Sequence, residues 1–404
     1  MTNVKELTEC LCCGSHELEL ILDLNEQPLA NSFIQNTSDE ELTFPLRLNL
    51  CKDCSHLQLS HAVNPDLLFK NYLYVSGTSQ TLKDYFNWFA KFTTEYISNP
   101  NTVLDIACND GSQLNSFKEL GLDTYGIDPA ENLFEISSKN HNVICDYLTE
   151  DYINTYRGKI DIITAQNVFA HNSYPLDFLN ICKEIMHDNS VLFIQTSQAD
   201  MIKNNEFDTI YHEHLSFFNA NSMLALSQRA GLNLIDITKT PIHGNSYVFV
   251  FSKTAEPRTS VLYTLNEEQQ IGLQSLPTYI EYAKKAHEVV RRLKETLQHY
   301  QDLGYVIAGY GAAAKGNTLL NFADIKLNFI IDDNPLKQGL YAPGTHSPVV
   351  SNDILDTLDE MDIAFVPLAW NFFTEIQTKI KSIRNKKDDI FIRYFPIIKI
   401  ETNT

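Results

Sequence analysis

Apolar positions in the middle of the chain come in short runs, each followed by a longer polar stretch with helical spacing. Thr102-Val-Leu-Asp-Ile-Ala-Cys reads as a strand, and Leu114-Asn-Ser-Phe-Lys-Glu-Leu up to Gly121 as a helix. Thr124-Tyr-Gly-Ile-Asp128, Asn142-Val-Ile-Cys-Asp146, Asp161-Ile-Ile-Thr-Ala and Val191-Leu-Phe-Ile-Gln repeat the strand pattern. Such alternation predicts an α/β fold built on a mostly parallel sheet. Asn221 to Ala230, ended by Gly231, reads as a helix with a C-terminal glycine cap. Leu234-Ile-Asp-Ile-Thr and Tyr247-Val-Phe-Val-Phe are expected to close the sheet as an antiparallel pair.

A charged helical stretch from about Glu267 to Gly304, broken near Pro277, reads as a linker. A second alternating unit follows, with strands at Tyr305-Val-Ile-Ala, Asn328-Phe-Ile-Ile-Asp, Asp362-Ile-Ala-Phe-Val and Asp389-Ile-Phe-Ile-Arg. Residues 1–70 are loop-rich, with apolar runs at Leu18-Glu-Leu-Ile-Leu and Phe44-Pro-Leu-Arg-Leu-Asn-Leu. Three domains are expected, over 1–70, 71–260 and 261–404; a chain of 404 residues exceeds one ordinary core.

Composition narrows the function classes. At 44% hydrophobic and 20% charged, the chain is globular, and no apolar run approaches the roughly 18 to 20 residues of a membrane span. The first residues lack a signal-peptide core, so a cytoplasmic location is expected. A formal charge of −20 argues against a nucleic-acid partner, while leaving room for a small anionic ligand held by a local cluster of donors. No membrane is expected, and the chain is read as a monomer.

Five of the eight cysteines lie within the first 54 residues. Cys10 and Cys13 form one Cys-x-x-Cys knuckle, Cys51 and Cys54 another. A segment too short to bury a core of its own gains stability from one tetrahedral Zn²⁺ on four thiolates. Four unrelated buried thiols or a redox pair are the alternatives, and Cys12 competes for the assignment.

In a doubly wound sheet, ligands sit beyond the carboxyl ends of the strands. The turn after the first strand, Asp105-Ile-Ala-Cys-Asn109-Asp-Gly111, retains a single glycine. Asp128 ends the second strand, where a carboxylate accepts both hydroxyls of a ribose. Asp146 follows the third strand on the adenine side, and Asn167 the fourth. Each taken singly is a turn residue or helix cap; in register they point to a nucleoside-type cofactor. The Gly-x-Gly that admits a dinucleotide pyrophosphate is absent from this turn.

Histidines cluster around the expected rim. Tyr211-His-Glu-His214 lies between the fifth strand and the following helix, His171 near the end of the fourth, and His243-Gly-Asn-Ser246 between the closing strands. A surface loop, or a second metal site on His212 and His214, is the alternative. A neutral imidazole titrates near neutrality and suits proton abstraction beside a carbonyl, while a second histidine or a tyrosine holds the developing oxyanion. Tyr72-Leu-Tyr74 leads into this region and reads as a lid.

Taken together, these segments resemble the sugar-nucleotide C-methyltransferases that build branched deoxysugars such as mycarose. The resemblance runs through the two knuckles, Pro28-Leu-Ala-Asn-Ser-Phe33, Tyr72-x-Tyr-x-Ser76, Asn109-Asp-Gly111 and Asn167-x-x-x-His171. It continues through Phe207-Asp-Thr-Ile-Tyr-His-Glu-His214, Gly309-Tyr-Gly-Ala-Ala-Ala-Lys-Gly316 and Ala369-Trp-Asn371. The family implies a zinc-binding N-terminal domain, a central class I methyltransferase domain using S-adenosylmethionine, and a Rossmann-like C-terminal domain. It also implies methylation of a carbon beside the keto group of a nucleoside-diphosphate 4-keto-deoxysugar. By this resemblance His214 is the base, and Tyr211, Glu213 and His171 orient it or stabilise the enolate. Tyr74 encloses the reacting carbon, and Tyr72, His243 and Ser246 contact the sugar. Two departures mark this chain: Asn245 where the family has a second glycine, and Gln195-Thr-Ser where an acidic residue and a proline are usual.

Gly309-Tyr310-Gly-Ala-Ala-Ala314, with Asp332 about 20 residues on, also reads as a dinucleotide fingerprint or an inert glycine turn. A diphosphate site is preferred, since helix-start N–H groups and Lys315 bind anions, with Asn371 and Glu375 completing it. Beside the C-methyltransferase reading stand an NAD-dependent oxidoreductase and a zinc-knuckle binding protein with an inactive methyltransferase core.

Overall fold

A computed structural model describes residues 3–69, 77, 80–384 and 388–402; Tyr72 and Tyr74 fall outside them. The chain forms two compact units. The first holds Met1–Glu19, Asn49–Ala199 and Glu213–Ser275, and the second Leu20–Leu48, Asp200–His212 and Leu276–Thr404. The first 70 residues are thus divided between the units, and the Tyr211 to His214 run crosses from one to the other.

The N-terminal segment supplies β1 (Val4–Glu6), β2 (Leu18–Pro28), β3 (Thr43–Cys51), β4 (Leu57–Leu59) and β5 (His61–Val63). The first unit is centred on a seven-stranded sheet. Its strands are β6 (Thr102–Ile106), β7 (Asp123–Ile127), β8 (Asn142–Ile144), β9 (Ile160–Gln166), β10 (Met186–Ser197), β12 (Asn233–Thr240) and β13 (Ser246–Ser252); a two-residue β11 (Ser216–Phe217) pairs with β4 instead. The order is β12-β13-β10-β9-β6-β7-β8, parallel except where β13 pairs antiparallel with β10 and β12. The expected antiparallel closing pair is therefore present.

Period-two alternation explains why these strands read as continuous apolar runs. Leu104, Ile163, Leu192 and Ile194 join one core cluster, while Val103, Ile162, Val191 and Phe193 join another. Consecutive residues thus face different layers, and both faces are buried. One layer is completed by the helix Gln80–Thr94, whose buried Leu82, Tyr85, Phe86, Phe89, Ala90 and Thr93 recur at helical spacing. That helix went unread in the sequence, although the stripe is present there. Strand β10 begins five residues earlier than expected, because a bulge between Met186 and Val191 takes its charged start out of the apolar pattern.

Helix Ala220–Ala230 begins at a capping box formed by Asn219 and Ser222 and ends at Gly231, whose φ of 64° is the expected left-handed cap. Its first N–H, on Ala220, donates 2.9 Å to Glu268, a buried carboxyl whose pKa burial pushes up to about 7 despite that hydrogen bond. A raised carboxyl pKa means the native state holds a proton that the unfolded chain has released. The associated stability is full below about 4.5 and lost as pH rises towards 7. Relative to a Glu268→Gln variant, the wild type should lose about 3 kcal/mol between pH 4.5 and 7.5. Urea-unfolding midpoints of the two proteins across that range measure it. The buried histidines, whose effect has the opposite sign, cancel in the difference, and a difference flat with pH would contradict the assignment.

The second unit carries a six-stranded sheet of β14 (Val306–Tyr310), β15 (Phe329–Ile331), β16 (Val349–Val350), β17 (Ile363–Pro367), β18 (Ile390–Arg393) and β19 (Lys399–Thr402), in the order β16-β15-β14-β17-β18-β19. Four of these strands match the expected runs; β16 and β19 are short or exposed and left no apolar run to read. The single linker expected to break near Pro277 is two helices, Thr259–Gln270 and Leu276–Asp302. They part at Gly272, with φ 82°, and Pro277 stands at the start of the second, where a missing N–H costs nothing. The long helix buries Tyr279, Tyr282, Ala286, Val289, Leu293 and Leu297 along one stripe, so it is a core element of its unit. Among the described residues no helix is long and apolar enough to cross a membrane.

Candidate active site

The sheet reverses direction at β6, which has β7 on one side and β9 on the other, so a crevice opens beyond the carboxyl ends of these strands. A cavity of about 830 Å³ occupies it, a volume suited to a ligand of cofactor size. Asp105, Asn109, Asp128, Asp146 and Asn167 all line the cavity, together with His171 and His243. Gly111 does not line it. With φ 81° it starts the helix Ser112–Glu119, and a Cβ there would lie 3.0 Å from the His141 ring. Its role is to turn the chain where a side chain would be strained.

Each carboxylate has a distinct setting. Asp105 lies within β6 opposite Thr164, whose hydroxyl donates to it at 2.6 Å; burial pushes its pKa up to about 7. Asp128 accepts the N–H groups of Asn109 at 2.8 Å and Ala130 at 2.8 Å, which fixes the carboxylate against the cofactor turn. Burial raises its pKa, against the pull of those two N–H groups. Asp146 is exposed and accepts the Tyr152 hydroxyl at 2.6 Å.

Two amide–amide contacts lie at this edge, and of their four residues the sequence pointed to Asn167 as a cofactor group. Gln166 donates to Gln113 at 2.8 Å and Asn167 to Gln195 at 3.2 Å. Gln166 Oε1, Asn167 Oδ1 and Gln195 Nε2 are buried at the strand ends without a hydrogen-bond partner. Buried amide atoms left in this state next to a cavity are positioned to meet polar groups of a ligand. Glutamine is common enough at strand ends that no sequence signal marked Gln166.

The histidines separate by role. His171 is half-buried and packed between Phe69, stacked at 5.4 Å, and His214, stacked at 5.3 Å with an interplanar angle of 25°. Burial lowers the His171 pKa to about 4, so it is neutral at pH 7. His214 is buried and receives Gln198 at its Nδ1, 3.0 Å away. His212 faces elsewhere: its Nε2 lies 3.2 Å from the carbonyl oxygen of Phe44, and among the described residues the four cysteines alone form a group of three or more metal-ligating side chains. Glu213 is buried and Tyr211 half-buried. The turn Ile242–Gly244 places His243 on the cavity at φ 55°, and Asn245 follows at φ 90°. Asparagine thus keeps the left-handed backbone that glycine would adopt freely. Ser246 is fully buried, and its hydroxyl closes this turn on the Ile242 carbonyl at 3.0 Å.

The two knuckles are brought together. The Sγ atoms of Cys10, Cys13, Cys51 and Cys54 all lie within 4.8 Å of one another, with Cys10 to Cys54 at 3.6 Å and Cys13 to Cys51 at 3.5 Å. Four thiolates at about 2.3 Å from a tetrahedral Zn²⁺ require separations of this size. The knuckles share one geometry: Gly14 donates to Cys10 and Ser55 to Cys51, both at 2.9 Å, with φ 79° and 59°. The residues fit a zinc ion. Cys12 stands outside the set, fully buried, with its carbonyl accepting Arg229.

In the second unit the glycine turn after β14 is occupied by its own chain. Asp332 accepts the Ala312 N–H at 2.6 Å, and Lys337 donates to the Ala312 carbonyl at 2.7 Å. A Cβ at Gly309 or Gly316 would lie 3.0 Å or less from Leu368, so these glycines serve close packing. The carboxylate that a dinucleotide ribose would need is engaged with the loop. Tyr310 donates to Asp333 and Asn352, and Lys379 lies 2.6 Å from Asp333. Lys315 sits 4.7 Å above the Trp370 ring, whose N–H donates 2.8 Å to the buried Asp208. Asn371 is exposed, and Glu375 stands in the first turn of the helix Phe373–Ile383.

Strand order, the crevice at β6 and the acidic residues that line it define a class I methyltransferase core. Residues 10–69 match the model of a zinc-binding domain, 79–237 that of a methyltransferase domain, and 241–396 that of a C-methyltransferase C-terminal domain. The three models together span residues 10–396 in this order, and the chain is an S-adenosylmethionine-dependent methyltransferase. It is 28% identical to C-methyltransferase NovU of Streptomyces niveus over 388 residues, 92% of each chain. Ubiquinone biosynthesis O-methyltransferase of Glaesserella parasuis is 33% identical over 105 residues, 23% of this chain and 44% of that protein. Among solved structures, an S-adenosylmethionine-dependent methyltransferase from Archaeoglobus fulgidus is similar over 42% of this chain and 94% of its own, at 15% identity and a TM-score of 0.34.

The residues lining the cavity fit the cofactor: Asp128 would accept the ribose hydroxyls and Asp146 would stand on the adenine side. Asp128→Ala should weaken S-adenosylhomocysteine binding about 10- to 100-fold, because it removes the acceptor and frees the Asn109 N–H it holds. Calorimetric titration measures this, and unchanged affinity would refute the role.

Proposed function

We propose that the protein transfers a methyl group from S-adenosylmethionine to the carbon beside the ketone of a nucleoside-diphosphate 4-keto-deoxysugar. The observation that carries this reading is the stacked His171–His214 pair, whose His171 lines the cavity that also holds Asp105, Asp128 and Asp146. A methyl acceptor that already carries a lone pair, such as an amine, needs no such pair. A carbon acid does, because its C–H must be broken first.

The bound cofactor supplies an electrophilic sulfonium methyl. His214 takes the proton from the C–H beside the ketone, and the bonding pair moves onto the ketone oxygen as an enolate. Neutral His171, with Glu213 and Tyr211, orients the ring and the enolate. His243 and the Asn245 turn contact the sugar. Burial of His214 and Glu213 strengthens their interactions by excluding water.

Mass spectrometry of products from a panel of keto sugar nucleotides tests the proposal. A gain of one methyl on carbon, with loss of the exchangeable C–H, is the expected result. Methyl transfer to oxygen or nitrogen instead, or heat of binding from NAD and none from S-adenosylhomocysteine, would overturn it.

A further inference from the structure

The residue facing His214 is one that neither the sequence motifs nor the family models single out. Gln198 is the first residue beyond β10, and its backbone is held at φ 77°, left-handed for a residue that is not glycine. Such a conformation persists where the surroundings over-determine it. Here they do: Ser197 is paired with Ser246 of β13, and the Ala199 N–H donates to the Asn245 carbonyl at 3.2 Å. The side chain is buried, with its amide nitrogen 3.0 Å from His214 Nδ1 and 3.5 Å from Nε2. The amide oxygen is buried and has no hydrogen-bond partner.

These facts bear on which ring nitrogen holds the proton. An amide N–H directed at Nδ1 requires a lone pair there and puts the ring proton on Nε2. In that form Nε2 has no lone pair and accepts no proton from a substrate. A half-turn of the amide brings the unpartnered oxygen onto Nδ1, where it accepts an Nδ1–H and leaves Nε2 as the basic nitrogen. The other face of the imidazole is covered by His171 at 5.3 Å, and the edge by Phe217 at 6.2 Å. Those contacts fix the plane of the ring but do not choose its tautomer.

We infer that Gln198 is the positioning residue of the reaction: its amide oxygen accepts His214 Nδ1–H and so makes His214 Nε2 the base. The inference rests on the reading of His214 as the base, and it adds the group that makes the ring competent. A neutral amide differs from a carboxylate in this place. It selects the tautomer while stabilising the imidazolium less than a carboxylate would, so the proton taken from carbon is more readily given up.

Histidine-selective ¹⁵N NMR on the full-length protein saturated with S-adenosylhomocysteine tests this, with His214 assigned by difference against His214→Ala. The wild type should show the Nδ1–H tautomer, with Nε2 unprotonated. Gln198→Met, which fills the space without an acceptor, should shift the ring toward the Nε2–H form and lower kcat about tenfold or more at nearly constant KM. Gln198→Glu should keep the Nδ1–H tautomer and raise the ring pKa by about one unit, moving the acidic limb of the pH–rate profile up with it. An Nε2–H tautomer in the wild type overturns the inference whether or not the Gln198 variants fold. So does a Gln198→Met protein with an unchanged tautomer and pH profile. Full methyl transfer by His214→Ala would instead sink the base reading itself, so the two failures are told apart.

Discussion

Serine in place of Cys51 should leave the protein with less than one zinc per chain and a melting transition lower by about 10 °C or more. The four Sγ atoms converge from two knuckles separated by 38 to 44 residues of chain, and the intervening strands are short or partly exposed. A closed tetrathiolate site contributes folding free energy directly, since the unfolded chain has no such site. Losing even several kcal/mol of that contribution shifts a transition in a unit of this size by about 2 to 4 °C per kcal/mol. Cys10 and Leu11 also line the cofactor cavity. Metal loss should therefore weaken S-adenosylhomocysteine binding as well. Zinc content by elemental analysis, melting and calorimetry on the same sample check all three. A Cys51→Ser protein with full zinc and unshifted melting would show that Cys51 is not a ligand. Cys12→Ser, by contrast, should keep its metal, because Cys12 lies outside the cluster.

His214→Ala should lower kcat by roughly 10²- to 10⁴-fold, the range expected for removal of a general base. Cofactor affinity should stay within about twofold, since His214 does not line the cofactor cavity. Exchange of the substrate C–H with solvent deuterium should stop together with methylation, because both need the same proton abstraction. A variant that still exchanged but did not methylate would place His214 in orienting the enolate and not in forming it. His171→Phe keeps the stack on Phe69 and removes only the ring nitrogens, so a smaller loss there would identify His171 as an orienting group.

Much of this was legible in the chain. Continuous apolar runs at Val103–Leu104, Ile162–Ile163 and Val191–Ile194 disclosed a sheet buried on both faces, and Gly231 and the closing pair were read to within a residue or two. The paired Cys-x-x-Cys spacing disclosed the cluster. Asp128, Asp146 and Asn167 were found because residues at strand ends share one edge of a parallel sheet. Other features were hidden for physical reasons. The charged start of β10 and the exposed β19 have no apolar period, and residues such as Gln166, Gln195 and Gln198 carry chemistry only through what they face.

Local pattern thus determined the elements, their order and the edge of the sheet that bears the cofactor groups, because each depends on neighbours within a few residues. Whether a group acts as a ligand, a base or a structural tie was decided only by tertiary structure. His212 and His214 are two residues apart, yet one is tied to the Phe44 carbonyl and the other stacks on His171 opposite Gln198. Asp332, a ribose ligand in the dinucleotide alternative, holds the Ala312 N–H. In each case the partner lies at least 16 residues away in sequence, and the hydrogen bond or ring stack that assigns the role exists only once folding has brought the two together.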